Sequence, residues 1–354
     1  MNRIEKVRLS LDSCGIDAMM VTSGDNRFYT TSFRSSAGVA LIGKDFAVFM
    51  TDFRYREAAE RALDGYTLEM TKAGHSYADV INEYCQRYHV KTIGFEGSMT
   101  FNEHAGYAKN VKAELVECGS LLHELRRVKE PDELDALREA QVITDKVFAG
   151  LLEYIRPGVT ELDINDELNR LFRVHGITGQ SFTPIIVSGE NGSLCHGRPT
   201  QRVVQKGEFV TMDFGCVLNG YCSDMIRTVA VGEPTEEMKK VYNVVLEAQL
   251  AALAYARPGV VGREMDGVAR KVIADAGYGE YFGHGLGHGL GILGHDTDGC
   301  SPSNERTLPE YTVTTVEPGI YIPGKFGVRI EDSIILVGDG HENMTKSPKE
   351  LIIL

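Results

Sequence analysis

Along the first third of the chain, short apolar runs alternate with segments whose apolar positions recur at helical spacing. Asp17–Thr22, Val39–Thr51, Thr67–Met70, Thr92–Phe95 and Leu115–Cys118 read as strands, with amphipathic helices such as Tyr55–Leu63 and Tyr77–Tyr88 between them. This alternation predicts an α/β domain. A nucleotide-binding fold alternates in the same way, but no glycine-rich phosphate turn joins a strand to a helix here, so cofactor binding is not expected in this half. Pro131-Asp132-Glu133 then supplies helix-start chemistry for a long periodic segment running towards Ile155. The change of pattern places a domain boundary near Arg126, giving domains 1–125 and 126–354.

Beyond the boundary the pattern occurs twice. Arg156-Pro157-Gly158-Val159 follows one long helix and opens another over Leu162–Phe172, and Arg257-Pro258-Gly259-Val260 does the same before Glu264–Ile273. Each copy runs on into a hairpin, Phe209–Phe214 with Cys222–Val231 and Val313–Ile322 with Gly327–Val337. The second domain is therefore expected to be an internally duplicated α+β unit.

Both hairpins carry acids where a β core is ordinarily apolar. Asp213 lies inside the first strand and Asp224 on its return; Glu317 and Glu331 repeat the arrangement in the second copy. Singly, each acid is most simply a turn cap or a surface partner of Arg227 or Arg329. Paired in both copies, they are expected to converge. Four carboxylates in one apolar pocket raise one another's pKa unless cations join them. Oxygen ligands with the imidazole of His288 favour Mn²⁺, Fe²⁺, Co²⁺ or Zn²⁺ over Ca²⁺, and two divalent ions balance four negative charges.

His288 belongs to Phe282–Gly291, where His284 and His288 alternate with glycines and His295-Asp296 comes shortly after. So many glycines oppose a helix and allow close backbone approach around the imidazoles. Gly289–Gly294 fits GxGxxG, but the turn formers of Asp296–Pro302 supply no helix after it, so dinucleotide binding is rejected. His196 lies in a loop after the strand Phe182–Val187. Cys195 beside it raises a thiol–imidazole pair, which is disfavoured because sequence neighbours rarely face one another.

Composition narrows the partners. Lys and Arg total 37 against 50 Asp and Glu in 354 residues, a net charge of −13 that repels nucleic acid and anionic membranes. The seven cysteines are scattered without a CxxC pair and read as reduced thiols. Neither a signal-peptide pattern nor a run of about 18 apolar residues occurs, so a cytoplasmic address is expected.

The motifs MDFG, GYCSD, HGLGHGLG, TVEPGIYI and GVRIED, in that order, resemble the ligand motifs of the pita-bread metallopeptidases. RFYTTSFRSSAG and TDFRYREAA resemble the small creatinase-like, non-catalytic domain that precedes the peptidase in the Xaa-Pro aminopeptidase and Xaa-Pro dipeptidase (prolidase) branch; methionine aminopeptidases usually lack it. The resemblance implies a pita-bread catalytic domain and a dinuclear centre, with Mn²⁺ the first expectation. Asp224 and Glu331 would bridge the ions, Asp213 would complete one, and His288 with Glu317 the other. It further implies that Glu317 shuttles the proton, that His196 and His295 line the substrate site, that His284 borders the pocket for proline, and that Arg329 supports Glu331. Aminopeptidase action on proline-containing peptides is expected, with dipeptidase action as the alternative and Arg306 as the cation for a dipeptide carboxylate. A non-catalytic peptide-binding module is disfavoured because all five ligand positions are filled. A homodimer is implied in which the amino-terminal domain, near Tyr29, borders the partner's active site. Three places depart from the family pattern: Leu293-Gly294-His295-Asp296, where an acid near Leu293 and Glu at Asp296 are common; Ile226, where threonine is frequent; and Tyr311, where glycine is usual.

Overall fold

The computed structural model describes residues 2–297 and 299–354. They form two compact units, Met1–Arg126 and Arg127–Leu354. In the first, α1 (Arg3–Leu11), β1 (Ala18–Val21), α2 (Gly24–Thr31), β2 (Val39–Gly43), β3 (Ala47–Thr51), α3 (Arg56–Ala62), β4 (Thr67–Met70), α4 (Tyr77–Tyr88), β5 (Thr92–Phe95), α5 (Phe101–Asn110), β6 (Glu114–Glu117) and α6 (Gly119–Arg127) succeed one another. The strands make one mixed sheet in the order β4-β3-β2-β1-β5-β6. Its two faces bury alternate residues: Met19, Val21, Ile42 and Phe49 pack towards α1 and α6, and Ala18, Met20, Leu41 and Val48 towards α4.

Two details differ from the sequence expectation. Val39–Thr51 is an antiparallel hairpin rather than one strand, because Lys44 and Asp45 cannot continue an apolar ladder. The helices α2 and α5 were not anticipated; α2 opens on the Ser23 cap and α5 on a Thr100–Glu103 capping box.

In the second unit α7 (Pro131–Tyr154) and α8 (Glu161–Val174) precede β7 (Ile185–Ser188), β8 (Glu208–Phe214), β9 (Val217–Leu218), β10 (Tyr221–Cys222) and β11 (Met225–Val231). The same order recurs in α9 (Glu236–Tyr255), α10 (Gly262–Asp275), β12 (Val313–Val316), β13 (Gly319–Ile322), β14 (Phe326–Arg329), β15 (Asp332–Val337) and β16 (Gly340–Asn343). The two RPGV turns are held alike. Gly158 and Glu161 donate backbone hydrogen bonds to Val204 and Arg202, and Gly259 and Gly262 donate to Leu308 and Arg306. Matching partners at matching offsets make the repeat one of structure as well as of letters. Each half has its own apolar core, one among α7, α8, β8 and β11, the other among α9, α10 and β12 to β15.

The second hairpin departs from the expected continuous form. β12 pairs with β15 and β13 with β14, so the ribbon is two short ladders broken at Pro318, whose ring fixes φ and removes a donor. That break lets Glu317 and Glu331 leave the strands. Among the described residues no helix is long and apolar enough to cross a membrane.

Candidate metal centre and active site

The period of two in β8 sends Val210, Met212 and Phe214 into the apolar core and leaves Thr211 and Asp213 on the opposite face. Asp213 is cross-strand neighbour to Ile226 on β11 and Ile185 on β7. Asp224 stands just before β11, and Glu331 is drawn to it by the backbone bond from Glu331 N to Ile226 O, 3.0 Å. Arg227, itself buried, locks the two halves together by donating to the backbone oxygens of Ile226 and Glu331 and to Asp332 Oδ1 at 2.8 Å.

His288 reaches the same place because glycines let its segment lie against β12. A Cβ on Gly287 would stand 2.1 Å from Thr315 O, and the backbones bond there, Thr315 N to His288 O and Glu317 N to Leu286 O. Nδ1 of His288 faces Gly289 O at 3.1 Å, an atom that only accepts, so Nδ1 carries the hydrogen. Nε2 faces Asp224 Oδ2, 3.6 Å away, and Glu317 Oε1, 3.2 Å away. Ligand atoms of Asp224, His288 and Glu331 lie within 4.8 Å of one another.

This donor set fits metal ions. Asp213 Oδ1, Asp224 Oδ1 and both carboxylate oxygens of Glu331 are buried with no hydrogen-bond partner among the described residues, a costly state for carboxylates unless they are protonated or bound to a cation. Burial, reinforced by the Glu317 charge and opposed by Arg329, pushes Asp213 up to about 7. Burial and then neighbouring acids push Asp224 and Glu331 well above the usual carboxylate range. Glu317 goes the other way: burial alone would raise it, but His288, Arg329 and His284 together hold it below its ordinary value.

These groups line a cavity of about 450 Å³, with His196, His284, His295, Phe182, Thr183 and Arg198 on its walls. The rings of His288 and His295 stack with centroids 3.6 Å apart. His284 Nδ1 faces Gly285 O at 2.8 Å, leaving Nε2 to accept from the Tyr321 hydroxyl at 2.9 Å. Burial lowers the pKa of both His284 and His295.

Residues 135–337 match Metallopeptidase family M24, and residues 3–128 match the Creatinase/Prolidase N-terminal domain. The chain belongs to metallopeptidase family M24. Solved structures similar to this M24 chain include a Xaa-Pro dipeptidase from Bacillus anthracis, 42% identical with TM-score 0.96, matching 99% of each chain. An X-Pro aminopeptidase from Thermotoga maritima is 33% identical with TM-score 0.92 over 100% of both chains. Among curated relatives, the uncharacterised peptidase YqhT of Bacillus subtilis is 42% identical over 99% of this chain and 100% of its own length. The expected α/β chain, a creatinase-like domain ahead of a pita-bread domain, is thus borne out.

Within this M24 site nine of the residues singled out from sequence line one cavity: His196, Asp213, Asp224, His284, His288, His295, Glu317, Arg329 and Glu331. Some expected contacts are different. Arg329 pairs with Asp213, Nη2 to Oδ2 at 2.5 Å, and lies 3.9 Å from Glu317, rather than bonding Glu331. Arg306 is exposed and does not line the cavity; Arg198 does. Tyr29 is fully buried, its hydroxyl donating to Leu125 O at 3.1 Å. After the GxGxxG stretch the chain proceeds to β12 without a helix among the described residues; Asp298 of that stretch lies outside them. Burial raises the Cys195 thiol, the direction opposite to that of a nucleophilic thiolate. Sequence reading missed Arg198 and Tyr321. Arg198 gives no signal beyond lying two residues after His196 in the same loop, and Tyr321 is inside the quoted TVEPGIYI but gives no signal of its own.

Proposed function

We propose that this peptidase hydrolyses the bond between an amino-terminal residue and the proline after it. The observation that carries the reading is the convergence of Asp213, Asp224, His288, Glu317 and Glu331, drawn from both halves, on a cavity where several buried carboxylate oxygens have no hydrogen-bond partner among the described residues. The names of its relatives, Xaa-Pro dipeptidase and X-Pro aminopeptidase, support the substrate class. Two divalent ions, Mn²⁺ first with Co²⁺, Zn²⁺ or Fe²⁺ as alternatives, would be held by those five residues and supply Lewis acidity and an activated water.

The remaining roles belong to the chain itself. Glu317, held below the ordinary carboxylate value against its burial by His288, Arg329 and His284, takes the proton of the attacking water and delivers it to the proline nitrogen. His295, fixed by stacking on His288, and His196 across the cavity donate hydrogen bonds to the scissile carbonyl and the substrate backbone. A proline nitrogen in a peptide bond has no hydrogen to recognise, so selection rests on shape; His284, held by Tyr321, forms the wall for the ring. Arg329 orients Asp213 through their salt bridge.

Aminopeptidase and dipeptidase action share this chemistry and differ in whether proline ends the substrate or is joined to further residues. The protein acts as a cytoplasmic homodimer in this reading. Incubating it with Mn²⁺ and Ala-Pro, Ala-Pro-Ala or Ala-Ala, with products separated chromatographically, tests the assignment. Cleavage confined to the proline substrates is expected; equal cleavage of Ala-Ala, or none with any of the four metals, overturns it.

A further inference from the structure

We infer that Arg198 is the receptor for the free α-carboxylate of the substrate, which makes this a site for Xaa-Pro dipeptides. The inference rests on the Xaa-Pro reading and decides between its two forms.

Arg198 is carried on a loop whose two ends are stapled by one buried carboxylate. Glu161 Oε1 accepts from Ser188 N at 2.7 Å and Ser188 Oγ at 2.9 Å, and Oε2 accepts from Thr200 N at 3.0 Å and Thr200 Oγ1 at 2.7 Å. Within the loop, a Cβ on Gly197 would fall 2.6 Å from the Val187 side chain, so glycine seats the turn against β7. Pro199 confines Arg198 to extended backbone. His196 and Arg198 thus face the cavity from a preorganised segment.

The charges of the lining single out Arg198. Four acids, Asp213, Asp224, Glu317 and Glu331, meet two arginines there. Arg329 is buried and engaged by Asp213. Arg198 is exposed, and its guanidinium donates to a neutral acceptor, Thr183 O, at 2.7 Å; it makes no ion pair with a described residue. That single bond orients the guanidinium and leaves donors for a planar, bidentate carboxylate.

In a Xaa-Pro dipeptide the carboxylate carbon is only two bonds from the scissile nitrogen. Hydrolysis at the acid cluster therefore carries that anion out of water and into the cavity, and a cation must offset its desolvation. In a longer peptide or a dipeptide amide the same atoms are uncharged, and an unsatisfied guanidinium gains little from them.

Steady-state kinetics of the metal-loaded protein on Ala-Pro, Ala-Pro amide and Ala-Pro-Ala test this, with the variants Arg198→Ala and Arg198→Lys. The wild-type protein is expected to prefer Ala-Pro. Arg198→Ala should raise KM for Ala-Pro by roughly 10- to 100-fold, the loss expected of a charged hydrogen-bonded pair, with kcat within about twofold and the amide unaffected; Arg198→Lys should recover part of the loss. Equal use of acid and amide by the wild-type protein, or an equal effect of Arg198→Ala on both, overturns the assignment while leaving Xaa-Pro hydrolysis intact. Failure to cleave any proline substrate removes the Xaa-Pro reading itself and this inference with it.

Discussion

Lys129 Nζ lies 3.7 Å from Asp296 Oδ2, and both side chains are almost completely shielded from solvent. Asp296 is the residue after His295, and its Oδ2 also accepts from Ile292 N at 3.0 Å, while its own N–H closes the loop on Gly289 O. A Cβ on Gly291 would meet that carboxylate at 1.9 Å. The pair therefore sets the loop that holds His295 against His288. Lys129→Met removes the ammonium from a buried carboxylate and should cost about 3 kcal/mol of stability and lower kcat. Adding Asp296→Asn should restore most of the stability. Denaturant unfolding of the single and double variants measures both; a loss below about 1 kcal/mol for Lys129→Met contradicts this role.

The acid cluster gives the metal-free protein an unusual pH response. Burial raises Asp213 to about 7 and pushes Asp224 and Glu331 well above the ordinary carboxylate range. The folded chain then keeps protons that the unfolded chain releases near about pH 4. Their unfavourable contribution is absent below the unfolded value and grows as pH rises through 5 and 6 towards 7. Asp332 is shifted the other way: burial would raise it, but Arg227 and Lys349 hold it low, so its stabilisation fades only at pH below the ordinary carboxylate range. Burial lowers the pKa of His284, His295 and His341, which oppose this trend below the ordinary imidazole range, so the sign is read between the two forms: metal should raise the melting temperature more at pH 7 than at pH 5, because ions and protons compete for the same oxygens. Thermal melts with and without chelator read the sign, and parallel trends in the two forms contradict it.

Tyr311 adopts φ of 63° and is partly exposed. A left-handed non-glycine residue costs roughly 1–2 kcal/mol, and glycine gives back roughly 0.5–1 kcal/mol through the freedom of the unfolded chain. Tyr311→Gly should raise the unfolding free energy by roughly 0.5 kcal/mol, whereas Tyr311→Ala, which keeps its Cβ in the strained region, should not. Denaturation midpoints of the two variants decide it.

The features legible in the sequence were those that repeat or have a fixed period. The two RPGV turns announced the duplicated half, and Tyr77–Tyr88 carried both its cap and its apolar stripe. Asp213 stood out because β8 alternates apolar and polar residues around it. The helix α2 was hidden because Gly24-Asp25-Asn26 is a poor helix former whose start is held from elsewhere in the chain, by Glu96 accepting from Ser23 and Asn26. The α5 helix carries a local start signal in its Thr100–Glu103 capping box, but its exposed face has no apolar stripe to extend that signal. Long-range partners carry no local mark: nothing near Asp296 names Lys129, and nothing near Arg329 says that Asp213 claims it.

The central claim is tested most directly by titrating chelator-treated protein with Mn²⁺ while monitoring bound metal and Ala-Pro hydrolysis together, in the wild-type chain and in Glu331→Ala. The account predicts an inactive metal-free chain, activity that saturates at about two bound ions per chain, and a Glu331→Ala protein that is folded by circular dichroism yet binds less metal and does not turn over. Full hydrolysis by a chain free of transition metal, or by Glu331→Ala, would contradict it.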